Sequence, residues 1–163
     1  MPVTRMPLPI QEAIRDLSGD LLGRGTAVDK TREPIAPDDI ALVAGYRDDK
    51  GVLQAIVPVD RQLVPVLGGS LVMVPEVVIK EVLAKDELPE SLVENFWEVA
   101  NIMSSLLNRT GGAHVVLTDR TEGGFAAVGE EARNLLASPV RQRWFSVTVQ
   151  GYGTGRMGFV AAT

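Results

Sequence analysis

Pro89–Asn108, PESLVENFWEVANIMSSLLN, is the longest helical pattern in the chain. Pro89 suits a first helical turn, where its missing N–H goes unused, and Glu90 puts negative charge at the positive end of the helix dipole. Thr110, Gly111 and Gly112 stop the pattern. At about 100° per residue, Glu94, Glu98, Asn101, Ser105 and Asn108 share an arc of roughly 80°. Leu92, Val93, Phe96, Trp97, Val99, Ala100, Met103, Leu106 and Leu107 cover the opposite side. That apolar side is wide enough to anchor a core. The polar stripe is either an ordinary solvated face or a site presented on a rigid element, and periodicity alone does not separate the two.

N-terminal to this helix, Pro75–Ala84 reads as a second helix with Val77, Val78, Val82 and Leu83 turned inward, joined to the first through Lys85, Asp86 and Glu87. Ser70–Val74 is too short an apolar run to assign. Asp60 is placed to cap a short helix that runs to Leu67 and breaks at Gly68 and Gly69. Ile40–Tyr46 and Val52–Val59 read as strands joined by Asp48, Asp49, Lys50 and Gly51, which is hairpin chemistry. The second strand is apolar on both alternating sets of residues, so burial on both faces is expected. Residues 23–38 read as a long loop with a short strand around Thr26–Val28, and Ile10–Leu22 as a helix behind the proline-punctuated lead-in Met1–Pro9.

C-terminal to the long helix, Ala113–Thr118 reads as a strand and Asp119–Gly129 as a polar loop with an apolar interlude at Phe125–Val128. Glu130–Ala137 is a short helix stopped by Ser138 and Pro139. Trp144–Gln150 alternates as a strand. Met157–Ala161 returns as the last strand, an edge with few charges, and predicts a homodimer by sheet extension or helix packing. The expected fold is a single α+β domain over residues 1–163, with a largely antiparallel sheet and helices packed on one face.

Composition removes several functions. A net charge of −5 and a pI near 4.9, with basic residues scattered, argue against a nucleic-acid partner. No cysteine is present, which excludes disulfides and thiolate metal sites, and one histidine excludes a multi-histidine centre. No apolar run approaches the ~20 residues of a membrane span, and the N-terminus lacks a signal-peptide core, so a cytoplasmic protein with no membrane partner is expected.

Few motifs carry chemistry. Gly151, Gly153 and Gly155 mimic a nucleotide loop, but a strand follows them where a helix is required, so they read as a hairpin turn. His114 has no serine or cysteine beside it in sequence and reads as structural or superficial. Asp48-Asp49 and Asp86-Glu87 lack the spaced ligands of a calcium loop. Glu98 and Asn101 remain: three residues apart, they are neighbours on one helix face. An exposed amide is a poor acid or base, yet it can hold a water by donating and accepting hydrogen bonds. An exposed carboxylate can pair with a partner's lysine. The pair suits a reaction whose nucleophile is water and whose charged machinery lies on another protein, such as hydrolysis of an aspartyl phosphate.

Glu94-Asn95-Phe96-Trp97-Glu98-Val99-Ala100-Asn101-Ile102 resembles the helix motif of the CheC/CheX/FliY family of chemotaxis phosphatases, in which an Asp or Ser precedes Glu, two residues and Asn. Glu98, Asn101 and the hydrophobic Ile102 match, and the order of elements around them matches across most of the chain. One motif is present, as in CheX rather than the duplicated CheC. Glu94 stands where Asp or Ser is usual, Ala100 where Gly is common, and Ser104-Ser105 where Ala-Gly is frequent. The resemblance implies a CheX-like phosphatase of a phosphorylated CheY-type receiver domain. In that role Asn101 orients the water and Glu98 pairs with the receiver's lysine. The magnesium ion sits on the receiver, so the chain needs no cofactor of its own. Trp97 and Ile102 become docking contacts, flanked by Glu94 and Ser105. The alternative is a catalytically inactive binding module on the same fold, in signalling or the flagellar switch.

Overall fold

The computed structural model describes residues 6–85, 87–108 and 112–163. Met1–Arg5 of the lead-in, Asp86, and the helix stop at Thr110 and Gly111 lie outside them. Five helices and six strands follow in the order α1 (Gln11–Leu22), β1 (Thr26–Thr31), β2 (Ile40–Asp48), β3 (Leu53–Asp60), α2 (Leu63–Leu71), α3 (Glu76–Ala84), α4 (Glu90–Leu107), β4 (Val115–Thr121), α5 (Glu130–Ala137), β5 (Arg141–Val149) and β6 (Gly153–Ala161). The strands form one sheet in the order β1-β5-β6-β3-β2-β4, antiparallel at every seam. The α+β reading with an antiparallel sheet therefore stands.

Two hairpins build the middle of the sheet. At Asp48–Gly51, Gly51 takes φ +78° while the Asp48 carboxylate accepts the Lys50 and Val52 N–H groups. That is local turn chemistry of the kind the sequence announces. The β5–β6 turn uses Gly151 at φ +84°, and Tyr152 N–H donates to the Val149 carbonyl.

Because side chains alternate across a strand, the sheet has two faces and two cores. On one face Leu42, Ala44, Tyr46, Val57 and Phe145 pack beneath α1, α2 and α4, and Trp97 belongs to this core. On the other, Val43, Ile56, Val160 and Trp144 meet Leu135 and Leu136 of the short α5. The larger helices thus share one face as expected, with α5 on the reverse. β3 is buried along nearly its whole length because both of its faces are covered.

Four local expectations are corrected. The helix after Asp60 does not break at the glycine pair: α2 runs through Gly68 and Gly69 to Leu71. A Cβ on Gly68 would lie 2.4 Å from the Leu92 carbonyl oxygen, and one on Gly69 would lie 2.4 Å from Ile79 Cδ1. The glycines are there to let α4 and α3 approach. On α3 only Ile79 is fully buried, whereas Val77 and Val78 are 62% and 40% exposed. β1 is a full edge strand that pairs with β5. Finally, β6 is no edge: it lies between β5 and β3, so Met157–Ala161 has no free hydrogen-bonding side.

Candidate functional site

The nine apolar residues assigned to the inner side of α4 are its nine buried residues. The helix is fixed along its length. Its first turns pack against Gly68 of α2. In its middle, the buried Tyr46 hydroxyl donates to the Ala100 carbonyl at 2.6 Å, and burial pushes that phenol's pKa well up. At its end, Asn108 accepts the Val115 N–H and donates to the Val115 carbonyl, both at 2.9 Å, which ties α4 to β4. Asn108, the last member of the polar stripe, is thus a structural clasp.

Glu94, Glu98, Asn101 and Ser105 are exposed on the outer face. Among the described residues their side chains have no hydrogen-bond or ionic partner. Only the Asn101 carbonyl is engaged, by the Ser104 hydroxyl at 2.7 Å. A carboxylate and an amide therefore stand side by side, in water, on a helix anchored along its length. Ile102 is half-buried at the margin. Trp97 is not a surface contact: it is 3% exposed, and its Nε1–H donates to Glu122 Oε2 at 3.0 Å. Its place on the inner side of the arc, beneath Asn101, makes it a support for the stripe.

Beside Trp97 stand Arg120 and Glu122, from the stretch whose sequence reads as a polar loop. Simple alternation from the buried Val115 would send residues 117, 119 and 121 toward α4. The ladder instead slips: Tyr46 pairs with Leu117 but Gly45 pairs with Asp119, so Thr118 is extra. Such a bulge reverses the alternation beyond it. Asp119 now faces the α5 side, where Arg47 donates to it at 2.8 Å and to Glu131 at 3.1 Å. Arg120 and Glu122 turn to the α4 side, with the Arg120 guanidinium carbon 5.9 Å from the Trp97 ring centroid. Gly45 permits the slip, since a Cβ there would lie 2.7 Å from Asp119 Cβ. No signal in a single sequence marks a bulge of this kind, although Gly45 within a strand pattern is the available hint.

A cleft of about 750 Å³ opens near the N-terminal half of α4, with Val93, Glu122, Asp60, Arg61 and Arg156 among its walls. Burial raises the pKa of Asp60 against the N–H groups of Arg156 and Leu63, which pull it down. Arg61 spans the connection before α4 by donating to the Val82 and Glu87 carbonyls. Elsewhere, His114 is exposed and Gly151–Gly155 forms the hairpin turn and the start of β6. Among the described residues no cluster of three His, Cys, Asp or Glu is placed to hold a metal, and no helix is long and apolar enough to cross a membrane.

At the level of sequence, no family model and no curated protein matches the chain. Solved structures do match it in fold. The FliM middle domain of Vibro alginolyticus superposes with a TM-score of 0.54 at 12% identity, covering 92% of this chain and 86% of that one. Thermotoga maritima FliY gives 0.52 at 13%, covering 93% and 89%. FliM in a FliG–FliM complex from H. pylori gives 0.55 at 8%, covering 93% and 85%. CheX and CheC-like chains also match, at lower TM-scores. The fold is therefore one shared by FliM middle domains and FliY, the latter within the family whose helix motif the sequence resembles.

Proposed function

We propose that this chain is a phosphatase of the CheX type, acting on the aspartyl phosphate of a receiver domain in chemotaxis or related two-component signalling. The observation that carries the reading is the exposed, unpartnered Glu98–Asn101 pair on α4. The Asn101 amide accepts from and donates to a water, aligning it with the phosphorus opposite the aspartyl oxygen. Glu98 pairs with the receiver's lysine and holds the two proteins in that alignment. Magnesium belongs to the receiver and offsets phosphoryl charge there. As water oxygen bonds to phosphorus, the bond from phosphorus to the aspartyl oxygen breaks. The aspartate leaves as a carboxylate, and the water's proton passes to the released phosphate or to solvent. No residue of this chain has to titrate. The reaction belongs in the cytoplasm, where receiver domains operate.

The test is loss of phosphate from a phosphorylated receiver at substoichiometric amounts of this protein. Wild type is expected to accelerate it, and Asn101→Ala to abolish the acceleration while still binding. Full activity in the variant removes Asn101 from the mechanism.

A second reading is favoured by the FliM middle domains among the similar folds, one of them bound to FliG. There the chain is a binding module, and the stripe docks a partner without hydrolysis. It predicts that the receiver binds while its phosphate is lost at an unchanged or slower rate. Under either reading we infer a homodimer. Its basis is no longer β6 but the two open edges, β1 and β4. A monomeric mass by light scattering at micromolar concentration would overturn it.

A further inference from the structure

The bulge in β4 places a cation near a stripe that otherwise carries carboxylates, amides and a hydroxyl. Trp97 precedes Asn101 by one helical turn and lies about 40° from it around the axis, on the β4 side. Side chains on a helix lean toward its N-terminus, so the Asn101 amide overhangs the turn that Trp97 begins. Arg120 sits against the Trp97 ring at 5.9 Å and is exposed. Among the described residues no carboxylate lies within ion-pairing distance of it. Glu122, just past the end of β4, accepts the Trp97 indole N–H. The ring therefore holds the guanidinium by a cation–π contact while leaving its N–H fork unused.

We propose that Arg120 is a specificity-determining contact, donating its fork to an anionic oxygen of the protein docked on α4. This rests on the reading of α4 as a receiver-docking helix. A guanidinium suits the role because it binds carboxylate or phosphoryl oxygens through two parallel hydrogen bonds, and lysine does not reproduce that geometry. It also explains an otherwise unhelpful arrangement. An acidic protein whose presented face carries Glu94 and Glu98 would repel the acidic, phosphate-bearing pocket of its substrate. A cation held on the Trp97 ring, one helical turn from Asn101, offsets that repulsion.

The experiment measures affinity for the receiver, unphosphorylated and loaded with beryllofluoride, and phosphate release from the phosphorylated receiver, for wild type, Arg120→Ala, Arg120→Lys and Asn101→Ala. Arg120→Ala is expected to weaken binding about tenfold and to flatten its dependence on ionic strength. Arg120→Lys should recover only part of the affinity, with both variants keeping the wild-type melting temperature. A loss confined to the beryllofluoride form assigns the contact to the phosphoryl group, and an equal loss in both forms assigns it to a surface carboxylate. Unchanged affinity and salt dependence in Arg120→Ala overturn the proposal. The phosphatase reading is judged separately: if wild type binds but releases no phosphate, that reading falls while the Arg120 binding data still decide this one. If wild type binds no receiver, both fall.

Discussion

Arg47 and Asp119 show how single residues are tuned by the fold. Hydrogen bonds from Arg47 hold the Asp119 carboxyl below the usual carboxylate range, against a smaller opposing effect of burial. Asp48 is lowered too, chiefly by the Val52 N–H. A carboxyl with a depressed folded-state pKa stabilises the fold above its unfolded value of about 3.9, and the stabilisation is lost as pH falls through the folded value. Stability measured by urea unfolding should therefore hold near pH 6 and decline below about pH 4. Asp119→Asn should make that decline shallower. Both groups are partly exposed, so solvent screening keeps the effect modest. That Glu98 and Asn101 share an exposed face of α4 is legible in the sequence, because a helix face is a matter of counting. Trp97 differs from the expected docking contact, being 3% exposed, because at the margin of an arc a few degrees decide between surface and core. Arg120 was hidden because its orientation depends on a strand slip that only the partner strand, through Gly45, makes possible.

At the level of elements, the α2–α4 contact is the most exacting. α2 begins where Asp60 accepts the Leu63 N–H at 3.0 Å, and β6 meets it so closely that a Cβ on Gly155 would lie 2.4 Å from the Leu63 Cα. At its other end Gly68 brings the backbone against Leu92 of α4. Gly68→Ala should gain helix propensity of about 1 kcal/mol and lose about 1–3 kcal/mol to overpacking, for a net destabilisation of up to about 2 kcal/mol by chemical denaturation. A stability equal to or above wild type would show that α4 can retreat without cost. The sequence pattern located α1, α4 and α5 almost to the residue, because amphipathic spacing and breaking residues agree there. It failed at Gly68-Gly69, where the same residue type that breaks an isolated helix admits a neighbouring one. It failed again on α3, where Val77 and Val78 are as apolar as core residues but face water.

At the scale of the whole molecule, the sheet order was the least legible feature. Adjacent hairpins follow from short turns, but the seam between β3 and β6 pairs Ala55 with Ala161, more than a hundred residues away. Local patterning carries no information about that seam, and so Met157–Ala161 looked like an edge. The consequence for the stripe is rigidity. α4 rests on a sheet whose central strands are held on both sides, so Glu98 and Asn101 are presented on a platform rather than on a loop.

The two tryptophans lie on opposite sides of that sheet, Trp97 under α4 and Trp144 under α5. Each indole is a built-in optical reporter of one layer. With Trp144→Phe and Trp97→Phe, intrinsic fluorescence follows the α4 layer and the α5 layer separately. The strands between them contribute side chains to both layers, so neither layer has a sheet of its own to keep. Their denaturation curves should coincide, as for a single all-or-none transition. Separated midpoints would mean that the two layers melt independently, one of them leaving the sheet half-covered.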